Sequence, residues 1–128
     1  GMHRQEEVEE NIRIMQDAQA NSLTKEELGI IKQAKEIYLN RVQVLCTDCK
    51  YCQPCPQGVD IPRVFTMYND ASIYNNFDGS RWLYDNLIKN EHDAGRCVAC
   101  EQCETLCPQH LEIIKFLDIA HKAFTANP

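Results

Sequence analysis

Eight cysteines stand in two runs, Cys46, Cys49, Cys52 and Cys55, then Cys97, Cys100, Cys103 and Cys107, and the 128 residues hold no others. The first run has two residues in every gap, the second has two, two and three, and both end in Cys-Pro, at Pro56 and Pro108. Thiols spaced this way can do three kinds of chemistry. Bonded to one another they form a disulfide framework, but such frameworks belong to oxidising compartments and to small domains short of a core. As zinc ligands they close tetrahedral sites, which usually draw two near cysteines from each of two separate segments rather than four from one. As iron–sulfur ligands they hold cubane [4Fe–4S] clusters, because thiols at two-residue intervals let a tight loop wrap one face of a cube with its backbone N–H groups turned to the sulfurs. The spacing favours this third chemistry, with two clusters.

The run from Cys97 to Pro108 has the C-x2-C-x2-C-x3-C-P spacing of bacterial two-cluster ferredoxins, whose fourth cysteine ligates the other cluster. The proline beside it fixes φ and carries no N–H, so local hydrogen bonding stops there. The same pattern here implies one cluster on Cys46, Cys49, Cys52 and Cys107 and a second on Cys97, Cys100, Cys103 and Cys55. The first run is one residue short before Cys55, so a self-contained cluster on all four of its own cysteines stays open.

Helices must carry these loops. From Glu6 to Ala20, Val8, Ile12, Met15 and Ala18 recur at helical intervals behind an acidic first turn. Thr24 and Glu27 form a capping box, with Leu23 and Leu28 placed as its hydrophobic staple. Leu28, Ile31, Ala34 and Tyr38 then make a stripe that Val42 and Leu45 extend into the first run. Between Cys55 and Cys97 lie 41 residues with helical rather than alternating patterning. Asp60 reads as a cap with Pro62 in the first turn ahead of Val64, Phe65, Tyr68 and Ala71. Asn75 to Gly79 reads as a loop, and Ser80 as the cap of a helix carrying Leu83, Leu87 and Ile88. After the second run Ile113, Ile114, Leu117, Ala120 and Phe124 form a last stripe, and Asn127-Pro128 is expected to fray. No segment alternates like a strand. The expected architecture is all-α, about five helices around two cysteine-rich loops.

Hydrophobic residues at 44% and charged residues at 25% fit one globular unit. A net charge of −6 offers no clustered cations for phosphates, so nucleic acid is not an expected partner. No apolar stretch nears the length of a membrane span, and the polar, acidic start is unlike an export signal, so a cytoplasmic location without membrane contact is expected. Gly1 ahead of Met2 reads as a remnant of tag removal, implying a chosen piece of a longer chain. Tyr51, Tyr68, Tyr74, Trp82 and Tyr84 read as packing rather than electron stepping-stones, and Met15 and Met67 as core. His3, His92, His110 and His121 share no metal spacing, and a bond from His110 to a cluster sulfur is the weaker reading of that residue. Lys50, Arg63 and Arg96, near the runs, read as solvated. No G-x-G-x-x-G occurs, so no dinucleotide site is expected.

The stretch Cys46-Thr-Asp-Cys-Lys-Tyr-Cys-Gln-Pro-Cys-Pro-Gln-Gly-Val-Asp-Ile-Pro62 resembles the C-terminal iron–sulfur domain of the ferredoxin-containing aldo/keto reductases, which has the same two-residue gap before the fourth cysteine. Cys97 to His110 resembles that family's second run, and Val8-Glu-Glu-Asn-Ile12 with Asn21-Ser22-Leu23-Thr24 resembles the segment leaving its catalytic barrel. The resemblance implies an α-helical ferredoxin fold over 24–128, an exit segment over 1–23, and cluster ligation by the eight cysteines. It also implies a barrel of roughly 250 residues as partner within a full-length chain. No catalytic residue transfers, since this chain is too short to hold that barrel.

The function expected is electron transfer through two [4Fe–4S] clusters between that barrel and an external donor or acceptor, within an oxidoreductase; this chain alone is not expected to be catalytic. Two rivals stand beside it: a structural iron–sulfur docking module that does not cycle, and a free-standing helical ferredoxin subunit of a larger oxidoreductase complex.

Overall fold

The structure, a computed structural model, describes residues 2–126. Its helices are α1 (Gln5–Asp17), α2 (Lys25–Leu39), α3 (Ile61–Ile73), α4 (Phe77–Lys89), the one-turn α5 (Gln102–Thr105) and α6 (Ile113–Thr125), with a 3₁₀ turn at Ala94–Arg96. No strand occurs among the described residues, so the all-α expectation holds, with α5 inside the second cysteine run added to the five helices expected. The frayed end expected at Asn127-Pro128 lies outside the described residues. No described helix is long and apolar enough to cross a membrane.

The chain divides into two compact units, one ending at Glu36 and the other starting at Ile37. In the first, Thr24 and Glu27 make the expected capping box: the Glu27 N–H donates to the Thr24 hydroxyl at 3.2 Å and the Thr24 N–H donates to the Glu27 carboxylate at 2.7 Å. These bonds hold the Glu27 carboxyl below the usual carboxylate range. The expected stripes are not buried: Leu28, Ile31 and Tyr38 are each more than half exposed, as are Ile12 and Met15 of α1. Helical periodicity reports which residues share a face, and here that face stays open to solvent.

The second unit carries the core. Asp60 caps α3 by accepting the N–H of Arg63 at 3.3 Å, and Pro62 stands in the first turn, where an N–H has no helical partner. Helix α3 buries Val64, Phe65, Met67, Tyr68 and Ala71, and α6 buries Ile113, Leu117, Ala120 and Phe124. Each large side chain removed from water here stabilises the fold by roughly 1.5–3 kcal/mol. Phe124 stacks on Tyr84 with ring centroids 4.7 Å apart and meets Tyr68 edge-on at 6.2 Å.

Helix α4 begins four residues earlier than expected. Its cap is Asn76, whose side chain accepts the Gly79 N–H at 3.1 Å, and Ser80 is a buried residue inside the helix. Ser80 and Tyr84 are the buried positions of α4, while Leu83 and Ile88 stay exposed. Likewise Val44, rather than Val42 or Leu45, enters the core, because α2 stops at Leu39 and its period no longer governs the residues beyond. Asn69 of α3 holds this segment: its carbonyl accepts the N–H groups of Gln43 (3.0 Å) and Val44 (2.9 Å) and its amide donates to the Val44 carbonyl (2.7 Å). That clamp fixes the backbone two residues ahead of Cys46. Asn69→Ala should lower stability by about 1–3 kcal/mol, since it strands backbone groups that the amide satisfies. Anaerobic chemical denaturation reads the change, and a loss below about 0.5 kcal/mol would show that the clamp does not matter.

Candidate iron–sulfur centres

The cysteines gather at two places. Cys46, Cys49, Cys52 and Cys107 line one cavity of about 340 Å³, counted with its open mouth, together with Ile61 and Phe65 of α3. Cys55, Cys97, Cys100 and Cys103 line a second of about 450 Å³, with Leu117 of α6 among its other neighbours. Cys52 borders both cavities. All eight are free thiols, so none is used in a disulfide. The sulfurs ring these volumes rather than closing on a point: among the described residues no group of three or more His, Cys, Asp or Glu side chains is arranged to hold a single metal ion.

The two loops share one backbone. In the first, Asp48 and Lys50 have φ of 53° and 65°; in the second, Ala99 and Glu101, at the same offsets from Cys46 and Cys97, have φ of 54° and 63°. Left-handed residues on either side of the second cysteine turn successive N–H groups inward, the concave arrangement that receives anionic ligands. The likeness continues past the prolines. Gly58 (φ 76°) donates its N–H to the Cys55 carbonyl at 2.9 Å, and His110 (φ 50°) donates to the Cys107 carbonyl at 3.1 Å. Each turn is followed by a nearly fully buried isoleucine, Ile61 or Ile113, that opens α3 or α6. The segment Cys-Pro-Gln-x-(Val/Leu)-(Asp/Glu)-Ile is therefore built twice, a repeat readable at 55–61 and 107–113 that cysteine spacing alone does not reveal. The copies differ between their third and fourth cysteines: two residues with a cis Gln53–Pro54 peptide in the first, three residues and α5 in the second. Gln53 braces the shorter gap, accepting the Cys55 N–H at 3.1 Å and donating to the Val59 carbonyl at 3.0 Å.

Cys49 and Cys100, the second thiol of each run, are exposed, and the other six are half-buried. Burial pushes the Cys46 thiol up and drives Cys52 and Cys103 to about 11, with neighbouring thiols adding to the shift. Cys46, Cys52 and Cys103 thus hold their protons in the metal-free chain and lose them when metal binds.

Other expected residues fall differently. Tyr68 and Tyr84 are core as expected, and burial raises Tyr84 to about 12. Tyr51, Tyr74 and Trp82 are at least 65% exposed, so they are surface side chains rather than packing. Met67 is buried, whereas Met15 is not. Arg96 is exposed as expected, and its guanidinium also donates to the Gln57 carbonyl at 3.2 Å and pairs with Glu91 at 3.2 Å, linking the flanks of the two loops. Lys50 lines the first cavity, and Arg63 is exposed.

This geometry has two measurable consequences. Cys52 and Cys103 bind their protons more tightly in the fold than in an unfolded chain, where thiols sit near 9.0. The metal-free chain should therefore keep this contribution below pH 9.0 and lose stability as pH climbs from there toward about 11, which denaturation across that range checks. Ala99→Val should cut iron uptake at the second loop, because a β-branched residue resists positive φ, while Ala99→Gly should retain it. Equal uptake by both variants would contradict the backbone requirement.

Soft thiolates in sets of four, closing on a volume in loops that turn N–H groups inward, suit an iron–sulfur cube. No curated protein and no solved structure matches the chain. The family described as the 4Fe–4S dicluster domain matches residues 45–112. That stretch contains every cysteine and reaches from the Asn69-clamped segment to the start of α6. The chain belongs to the 4Fe–4S dicluster domain family and, with its eight cysteines in two runs, holds two [4Fe–4S] clusters.

Proposed function

We propose that this chain is the electron-transfer domain of a larger oxidoreductase of the ferredoxin-containing aldo/keto reductase type, in which residues 1–23 leave a catalytic barrel and 24–128 form the ferredoxin domain. Iron–sulfur electron transfer itself follows from the family. What supports the reductase setting is the residue pattern: the two-residue gap before Cys55, the sequence Cys46 to Pro62, and Cys97 to His110. An intact reading frame for the whole protein tests it, since a full-length chain without a barrel ahead of residue 1 would overturn the setting and leave the carrier.

In this reading Cys46, Cys49, Cys52 and Cys107 hold one cluster, and Cys97, Cys100, Cys103 and Cys55 the other. The observation that carries it is that each cavity is lined by three thiols from one run together with the fourth from the other, Cys52 of the first run also bordering the second cavity. Each cluster, when bound, takes up and releases one electron at a time. The chain's own residues do the rest. Ile61, Phe65 and Leu117 keep water from the inner walls, which strengthens the thiolate hydrogen bonds that tune potential. Cys52, on the wall common to both cavities, gives the short connection between them. Cys49 and Cys100, being exposed, present one edge of each centre to a redox partner.

Anaerobic assay of reconstituted protein should find about eight iron and eight acid-labile sulfide per chain, with reversible reduction; uptake of zinc alone would end the reading. Single cysteine variants separate the ligand sets. Cys55→Ser should lose the same spectroscopic signal as Cys100→Ser, and Cys107→Ser the same one as Cys49→Ser. If Cys55→Ser instead matched Cys49→Ser, the first run would hold a cluster of its own.

A further inference from the structure

A polar cluster sits in the otherwise apolar seam between α4 and α6. Tyr84 is 1% exposed, yet its hydroxyl accepts the Ala94 N–H at 3.0 Å and lies 2.9 Å from Nδ1 of His121. Asp93, 7% exposed, accepts the Gly95 N–H at 2.8 Å and stands 3.7 Å from the same Nδ1. The His121 ring lies so close over Gly95 that a Cβ there would come within 2.7 Å of it. These contacts grip the 3₁₀ turn that leads into Cys97, whose N–H donates to the Ala94 carbonyl at 3.1 Å. His121, Asp118 and Cys97 line one open cavity.

We propose that His121 takes up a proton when the cluster held by the Cys97 run is reduced, so that this cluster's potential depends on pH through that ring. The proposal rests on the electron-transfer reading above. With a neutral ring the Tyr84 hydroxyl donates to Nδ1; with a charged ring Nδ1–H donates to the phenol oxygen, and the Asp93 carboxylate faces the cation. The groups around the ring are Tyr84 from α4, Asp93 ahead of the 3₁₀ turn and Asp118 from α6 itself. The nearby cations are engaged elsewhere: Arg81 with Asp78 and the Ala126 carbonyl, Arg96 with Glu91 and Gln57, Lys122 with Asp118. Glu104 of α5 accepts the Ile114 N–H, and α3 meets α6 through apolar side chains. His92, the histidine beside Cys55, has its Nδ1 on the Gly58 carbonyl at 2.7 Å, whereas His121 shares its cavity with Cys97 and is the ring through which an electron there is compensated. The electron comes from an external one-electron donor and the proton from solvent acid in the open cavity. One N–H bond forms on the imidazole as one O–H bond of that acid breaks, and oxidation reverses both.

EPR-monitored redox titration of the fully loaded chain between about pH 5 and 8, where histidine side chains change charge, tests this. The signal absent from Cys100→Ser identifies the cluster. Its reduced-to-oxidised ratio at fixed potential should fall by up to tenfold per pH unit, about 59 mV for one electron. His121→Gln should flatten the dependence. Asp93→Asn, which keeps an acceptor for Gly95, should retain it but move it to lower pH, because the imidazolium loses its facing carboxylate. Full iron and sulfide with a level response, or a dependence that both variants leave unaltered, overturns this proposal alone. Absent iron and sulfide overturns it together with the cluster reading.

Discussion

Helices α3 and α6 each start six residues after the last cysteine of a run, Cys55 before Ile61 and Cys107 before Ile113, so the way they pack decides how far apart the two runs lie. Ile61 and Ile113 are nearly fully buried in the seam, with Phe65 and Leu117 one turn on. Close packing leaves such a seam little freedom to slide, and the loops inherit that precision. The clusters and the core are therefore not separate parts: the same side chains that exclude water from the helix contact also line the thiol cavities.

Half-burial makes the Cys46, Cys52 and Cys103 thiols resist ionisation, and neighbouring thiolates add to that resistance. The left-handed residues around Cys49 and Cys100 add backbone strain, which non-glycine residues tolerate only where surrounding structure enforces it. Asn69, Gln53 and Arg96 brace the segments around the loops, each satisfying main-chain groups within or beside them. Ligation then converts the Cys46, Cys52 and Cys103 thiols, with the others, into the anions that metal binding requires.

Much of this architecture is legible in the residues alone, and the exceptions have physical reasons. Cysteine spacing reveals the chemistry because a cube's faces are small and rigid, and Asp60 with Pro62 marks the start of α3 because both act within a single turn. The start of α4 is misplaced by composition, since Asn75 to Gly79 looks like a loop, yet an asparagine cap accommodates glycine in the first helical turn. Stripes on α1 and α2 are visible, but periodicity contains no information on whether a partner covers them. The doubled segment is hard to see because one extra residue between Cys103 and Cys107 shifts its register from 51 to 52 partway through. The His121, Tyr84 and Asp93 group could not be read at all: it joins positions remote in sequence, and only the crossing of α4 and α6 assembles it.

The duplicated loops carry one further implication. At the two matching left-handed positions the first copy places Asp48 and Lys50 and the second Ala99 and Glu101, so scaffolds of the same shape carry an offsetting pair in one loop and a lone anion in the other. Backbone shape and side-chain charge are thus chosen independently in the two loops, so one turn geometry serves two different electrostatic settings.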